Sequence, residues 1–391
     1  MRIADSPMQT LAAAHPTALD RPALIIRRVD AIPVALPLVK PVRMAAETVT
    51  HARNILVRIE AADGTVGWGE AASAPTMTGD TLGGLTAAVR DHLAPPLIGA
   101  DAWMRPALMK RLRTMLHGNT GAHSAVEMAL LDLAGQASGL PLIDLVGGAL
   151  RREVAPMWLV GNATPDEDVT EAKAKASEGI RFFKLKVGVK PLDTEIATAL
   201  AVREALGPDL PVCADANCGF TRQAAWRYLE ATREAALLFL EQPFEDGDLR
   251  GLAALARSTP VPIGADEGIH SLQDIEAHAA AGAVGVSLKL IKLGGFAAAL
   301  TAGTLCRRLG LAINVAAKMS ESSLGAAATV HLACALDNID WGVSLTHFYL
   351  AEDLVRVPLA VHNGLVTLPG KPGVGVEIDE AAVARLRVDS P

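Results

Sequence analysis

The sequence predicts an α/β protein in which an α+β cap precedes a parallel barrel of repeated strand–helix units. Three observations predict it. Eight short apolar runs recur between residues 156 and 345, with helical segments such as TEIATALAVREAL between them. Charged residues stand where those runs end: Lys184 and Lys186, then Asp215, Glu241, Asp266 and Lys289. The first 150 residues follow another order, strands first and helices after.

The cap is read from residue 23 to residue 150. Two strand-like runs, ALIIRRVDAIPVALPL and RNILVRIE, are followed by a turn at Ala62-Asp63-Gly64 and a third run, TVGWGEAA. This is an antiparallel meander with a hairpin signal at Asp-Gly. Between the first two runs, residues 39–53 read as a solvated loop carrying Lys40, Arg43, Glu47 and His51, with a lid over a site as the functional alternative. From residue 80 the pattern is helical. In LHGNTGAHSAVEMALLDLAGQASG, Val126, Met128, Ala129, Leu130, Leu133 and Ala134 make a broad apolar face, and Gly139 and Pro141 stop the helix.

The barrel is read from 151 to 345. Its strands are PMWLVGN, FFKLKVG, PVCADAN, LLFLEQP, VPIGADE, VSLKLIK, AINVAAK and IDWGVSL. An open doubly wound sheet is the weaker alternative, because no Gly-x-Gly-x-x-Gly follows any strand. Residues 346–391, with the strand-like GLVTLPG and a polar terminal helix, are expected to return to the cap. Residues 1–22 read as a loose polar extension without the apolar core of a signal peptide.

Composition narrows the function classes. The net charge is −7, no dense Lys/Arg tract occurs and aromatic residues make up 4%. These features argue against nucleic acid or an anionic membrane surface as partner. No apolar run is long enough to span a membrane. Cys213, Cys218, Cys306 and Cys334 form no Cys-x-x-Cys pair, which points to reduced thiols and a cytoplasmic protein.

Alternation on FFKLK places Lys184 and Lys186 on one face of a strand. Two ammonium groups there are costly to bury unless anions lie near. The spacings supply the anions: 29 residues from Lys186 to Asp215, then 26 to Glu241, 25 to Asp266 and 23 to Lys289. Each step is one strand–helix unit, so all of these residues meet at one barrel mouth. Three carboxylates together need a cation, and oxygen-only ligands select Mg²⁺, with Mn²⁺ as the alternative. A substrate carboxylate would complete the coordination. Lys186 and Lys289 come from opposite sides of the barrel and would serve as acid and base. A neighbouring ammonium (Lys184), a metal ion and burial are expected to lower the lysine pKa.

Taken together and in order, KLK, ADAN, EQP, ADE and SLKLIKLGG resemble the enolase superfamily, in its muconate-lactonizing subgroup. The resemblance spans nearly the whole chain, including GNTGAHSAVEMALLDLAGQASGLPLIDLVGG. It implies a modified TIM barrel, (β/α)7β-like, with the cap beside it. It implies Asp215, Glu241 and Asp266 as Mg²⁺ ligands, Lys186 and Lys289 as the acid/base pair, and Lys184 on the substrate carboxylate. Asn217 would buttress the site and Glu267 would orient Lys289 or its neighbours; Lys292 reads as a solvated loop residue. A homo-oligomer acting on a small carboxylate is also implied.

Departures from the family patterns bear on the substrate. AAKMSESSLG resembles muconate cycloisomerases, but Ser344 stands about where they carry a Glu. The Asp-x-Asp of dipeptide epimerases is absent from strand eight, and strand seven ends in Lys318 rather than the His of mandelate-type members. DWGVSLTHFYLAEDL looks more like members acting on proline betaine and hydroxyproline derivatives, where a Trp holds a quaternary ammonium. Trp341 is then either that residue or a core Trp, while His347, Phe348 and Tyr349 read as packing. The leading expectation is a racemase or epimerase of a cyclic N-modified amino acid. A muconate cycloisomerase, a dehydratase of a hydroxylated amino acid, a Schiff-base lyase and a non-catalytic binding barrel are the alternatives.

Overall fold

The computed structural model describes residues 21–43, 48–319 and 321–389. The expected N-terminal extension thus lies, but for its last two residues, outside the described residues, as does Glu47.

Three antiparallel strands open the cap in chain order: β1 (Ile26–Arg43), β2 (Thr48–Ala61) and β3 (Val66–Ala72). The expected 39–53 loop is instead largely the two arms of a hairpin, with a register shift between Pro37 and Val42. Contacts with the barrel rim explain its order. Lys40 pairs with Glu171 at 2.7 Å, the Arg43 amide donates to Asn162 Oδ1 at 3.1 Å, and Val42 is buried with Leu159, Met319 and Tyr349.

The other large cap element, the helix Thr120–Ser138, lies directly on β3. Gly67 and Gly69 permit that approach: a Cβ at Gly69 would stand 2.0 Å from the Ala125 carbonyl oxygen. Asp132 of this helix accepts from the Trp68 amide at 2.8 Å and the Val374 amide at 2.8 Å, joining helix, sheet and C-terminal segment.

A two-residue strand, β4 (Glu153–Val154), leads into the barrel. The eight barrel strands fall in the eight expected stretches. They are β5 (Met157–Val160), β6 (Phe182–Lys186), β7 (Val212–Asp215), β8 (Leu240–Glu241), β9 (Ile263–Ala265), β10 (Gly285–Leu288), β11 (Ala312–Ala316) and β12 (Val343–Ser344). All neighbours are parallel, and a Pro156–Val343 bridge joins the first strand to the last. The last strand, β13 (Val366–Thr367), pairs antiparallel with β4. Farther along, Arg387 bridges to Val34 of β1.

Alternation along β6 decides what enters the barrel. Phe183 and Leu185 pack outward among the helices, and Phe182 joins Met157, Cys213, Phe239 and Trp341 in a plug at the opposite end from the strand termini. Trp341 stacks on Phe239 at 3.9 Å between ring centroids, and a Cβ on either Gly264 or Gly285 would collide with its ring. Trp341 is therefore a core residue, not a substrate contact. It precedes β12, so its side chain fills the floor of the barrel while the pocket opens at the far end of the strands.

Candidate active site

The strand termini surround a cavity of about 130 Å³. Lys184, Lys186, Asp215, Asn217, Glu241, Asp266, Glu267, Lys289 and Ser344 all line it, so nine of the ten residues picked from the sequence meet there. Strand register sets the order: Lys186 lies across from Asp215, and Asp215 across from Glu241. The opposite wall comes from the first, seventh and eighth barrel strands, with Leu159, Lys318, Met319 and Thr346, and the cap adds Thr76 and Met77.

Asp215, Glu241 and Asp266 each meet an ammonium group. Lys184 donates to Glu241, and Lys186 to Asp215 Oδ2 at 2.7 Å. Lys289 donates to Asp266 Oδ2, and Lys292 to Asp266 Oδ1 at 2.7 Å. Lys292 is fully buried, contrary to its expected place in a solvated loop. After Lys289 the chain turns into a short helix, Leu290–Leu293, which swings Lys292 back beneath Asp266.

Neighbouring carboxylates outweigh burial at two of the lysines. Burial disfavours the charge on Lys184, but Glu241 and Asp215 outweigh it and raise its pKa above the usual lysine range. Lys289 is raised in the same way, burial being overcome by Asp266, Glu267 and Glu241. Burial lowers Lys292 despite Asp266. Glu267 is pushed up to about 7 by burial and by the neighbouring Asp266 and Asp215. Glu267 bonds not to Lys289 but to Asn217, whose Nδ2 donates to Glu267 Oε1 at 2.8 Å.

Sequence reasoning missed a supporting layer. Ser287 donates to Glu241 Oε1, Asn314 Nδ2 donates to Ser287 Oγ at 2.9 Å, and Ser344 Oγ donates to Asn314 Oδ1 at 3.2 Å. Gln242 Oε1 accepts from the Asp266 amide at 2.8 Å and the Gly268 amide at 3.3 Å, fixing the chain that carries Asp266 and Glu267. The available signal was a lone polar residue inside an apolar strand: Ser287 in VSL and Asn314 in INVA.

The carboxylates of Asp215, Glu241 and Asp266, carried on neighbouring strand ends, suit a hard divalent cation. Among the described residues no three such groups converge tightly enough to hold an ion as they stand.

Comparison with known proteins agrees with this arrangement. Residues 26–147 match the family "Mandelate racemase / muconate lactonizing enzyme, N-terminal domain", and residues 167–382 match "Enolase C-terminal domain-like". The chain is 32% identical to muconate cycloisomerase 1 of Pseudomonas putida, over 93% of this chain and 98% of that protein. It is 31% identical to the L-Ala-D/L-Glu epimerase of Bacillus subtilis (strain 168), over 90% of this chain and 96% of the epimerase. The solved structure of N-succinyl Arg/Lys racemase from Bacillus cereus ATCC 14579 superposes with a TM-score of 0.89 at 25% identity, covering 94% of this chain and 99% of that one.

Proposed function

The chain belongs to the mandelate racemase/muconate lactonizing enzyme family of the enolase superfamily. On that footing we propose that it is an isomerase that removes and returns the proton on the carbon next to a substrate carboxylate. One observation carries this reading: Lys186 on the second barrel strand and Lys289 after the sixth flank one carboxylate-lined pocket from opposite sides. Two bases on opposed faces of one carbon suit racemisation or epimerisation.

Asp215, Glu241 and Asp266 would hold a Mg²⁺ ion, with Mn²⁺ as the alternative. When bound, the ion would neutralise charge that develops on the substrate carboxylate as the α-proton leaves. Lys184, the deepest of the pocket lysines, binds that carboxylate. Lys186 takes the proton from one face, and Lys289 returns one from the other. Thr76 and Met77 of the cap close over the pocket and limit water.

The substrate is an N-modified amino acid. The quaternary-ammonium version of this reading loses its support because Trp341 lies in the barrel floor. Lys318, lining the wall opposite the carboxylates, suits a neutral or anionic N-substituent better than a cationic one. The second reading is muconate cycloisomerisation, favoured by the 32% identity to the Pseudomonas putida enzyme. Ser344, where those enzymes resemble one another in a Glu, speaks against it. Elimination from a hydroxylated amino acid would use the same lysines.

The test is α-proton exchange in D₂O with Mg²⁺, followed by NMR over N-acyl and N-succinyl amino acids, dipeptides, proline betaine, hydroxyproline isomers and muconate. The expected result is exchange on an N-modified amino acid that disappears with EDTA and in a Lys186→Ala/Lys289→Ala double variant. Exchange that survives the double variant, or no exchange on any compound, would overturn the proposal. Conversion of muconate to a lactone would select the second reading.

A further inference from the structure

The two pocket lysines proposed as bases are held in different ways. Lys289 donates to the Asp266 carboxylate and, among the described residues, its other hydrogen-bonding neighbour is the Met77 sulfur at 3.8 Å. Lys186 has a carboxylate on one side, Asp215 at 2.7 Å, and a neutral amide on the other, Asn217 Oδ1 at 2.8 Å. Asn217 is itself anchored twice more, once through its backbone and once through its side chain. The Asn217 backbone amide donates to Asp215 Oδ1 at 3.0 Å, and its Nδ2 donates to Glu267 Oε1 at 2.8 Å.

A side-chain amide has one accepting and one donating end. Turned over, Asn217 would present Nδ2 to the Lys186 ammonium, donor against donor, and Oδ1 to Glu267 Oε1, acceptor against acceptor, and both bonds would be lost. Glu267 therefore selects the orientation in which Asn217 accepts from Lys186. The other Glu267 oxygen, Oε2, is buried and has no partner among the described residues, so Asn217 is the polar anchor of this carboxyl. Asn217 also sits at φ +41, a left-handed conformation that Asn tolerates better than most residues, and this turn aims its side chain back at Lys186. No equivalent amide touches Lys289 among the described residues.

We infer that Glu267 acts through Asn217 as a positioning residue for Lys186, and thereby sets the rate of proton transfer on one face of the substrate carbon. This rests on the proposed isomerase reading. It adds that the two faces are unequally supported: one by an amide relay reaching across from the fifth barrel strand, the other, among the described residues, by the Asp266 ion pair without such a relay.

The experiment compares α-proton exchange of the two substrate enantiomers in D₂O. Lys186→Ala identifies the enantiomer served by Lys186, and Lys289→Ala the other. In Glu267→Ala the ratio of the two exchange rates should shift by roughly 10- to 100-fold against the Lys186 face, the usual size of an effect from a supporting hydrogen bond. Glu267→Gln, whose amide oxygen can still accept from Asn217, should recover most of that ratio. Equal losses on both faces would overturn the inference, since they would mark a role in holding the metal or the fold. An unchanged ratio would overturn it too. A crystal structure of Glu267→Ala gives an activity-independent readout. The Lys186–Asn217 contact should be broken or the amide turned, and an unmoved pair would count against the relay. If the wild type exchanges neither enantiomer, the isomerase reading fails, and this structure still decides whether Glu267 aims Lys186.

Discussion

Single residues at strand ends were legible because each interrupts an apolar run at a regular spacing. Lys186, Asp215, Glu241, Asp266 and Lys289 needed only that rhythm and the convergence of barrel strands. Lys292 was misread because its place depends on how the chain turns after Lys289, and no spacing rule shows a four-residue helix folding an ammonium group under Asp266. The distinction is measurable. A solvated lysine can be replaced at a cost within about 0.5 kcal/mol. Removing one partner of a buried ion pair costs about 3–5 kcal/mol. Lys292→Met should therefore lower the urea-unfolding free energy by several kcal/mol, and a change inside the surface range would contradict the burial described above. Trp341 illustrates the opposite difficulty. Whether an aromatic residue near a strand lies at its mouth or its floor depends on where the strand begins, and β12 begins two residues after it.

Elements were legible in number and order, and less so in their contacts. The meander, the long cap helix and all eight barrel strands fall where the patterns put them. The hairpin made by β1 and β2 was missed because its order comes from docking on the barrel, through Lys40, Arg43 and Val42, rather than from local propensity. The docking of Thr120–Ser138 was partly visible in its apolar face, but its polar seal was not. Asp132 is buried on that helix, and burial pushes its carboxyl up to about 6 although two backbone amides favour its charge. Because the folded-state pKa lies above the unfolded value of 3.8, protonation favours folding. This contribution is complete below about pH 4 and is lost as the pH rises through about 6, a shift worth about 3 kcal/mol. Stability curves of wild type and Asp132→Asn, measured by chemical denaturation, should thus diverge with pH. From pH 4 to pH 7 the wild type should lose up to that amount relative to the variant, and parallel curves would show that Asp132 does not titrate in this range.

At the scale of the whole molecule, a cap residue organises the start of a barrel helix. Glu70 of β3 is buried and accepts from the Ser322 amide at 3.0 Å, the Ser322 hydroxyl at 2.6 Å and the Gly325 amide at 2.9 Å, where the helix Ser323–Ala335 begins. Glu70→Ala should strip two amides of their acceptor, at about 1–3 kcal/mol each. Hydrogen exchange at Ser322 and Gly325 should quicken by roughly tenfold to a hundredfold, while β6, β7 and β8 keep their protection. A uniform rise across the molecule would contradict a local clasp. The bridge between Val34 and Arg387, with the Val388 amide donating to the Pro33 carbonyl at 3.0 Å, has a different kind of consequence. Strand β1 is the outer edge of the first sheet; Gly99 and Ala100 pair with its first residue, Ile26, whereas the residues that cover it from Pro33 to Leu38 come more than three hundred positions later. On a ribosome, that stretch of edge would emerge early and stay open until Leu350 to Val388 had been made. An open edge is a template for pairing with other chains. The nascent polypeptide is therefore exposed to mispairing during its own synthesis, and the emergence of Leu350 to Val388 ends that exposure.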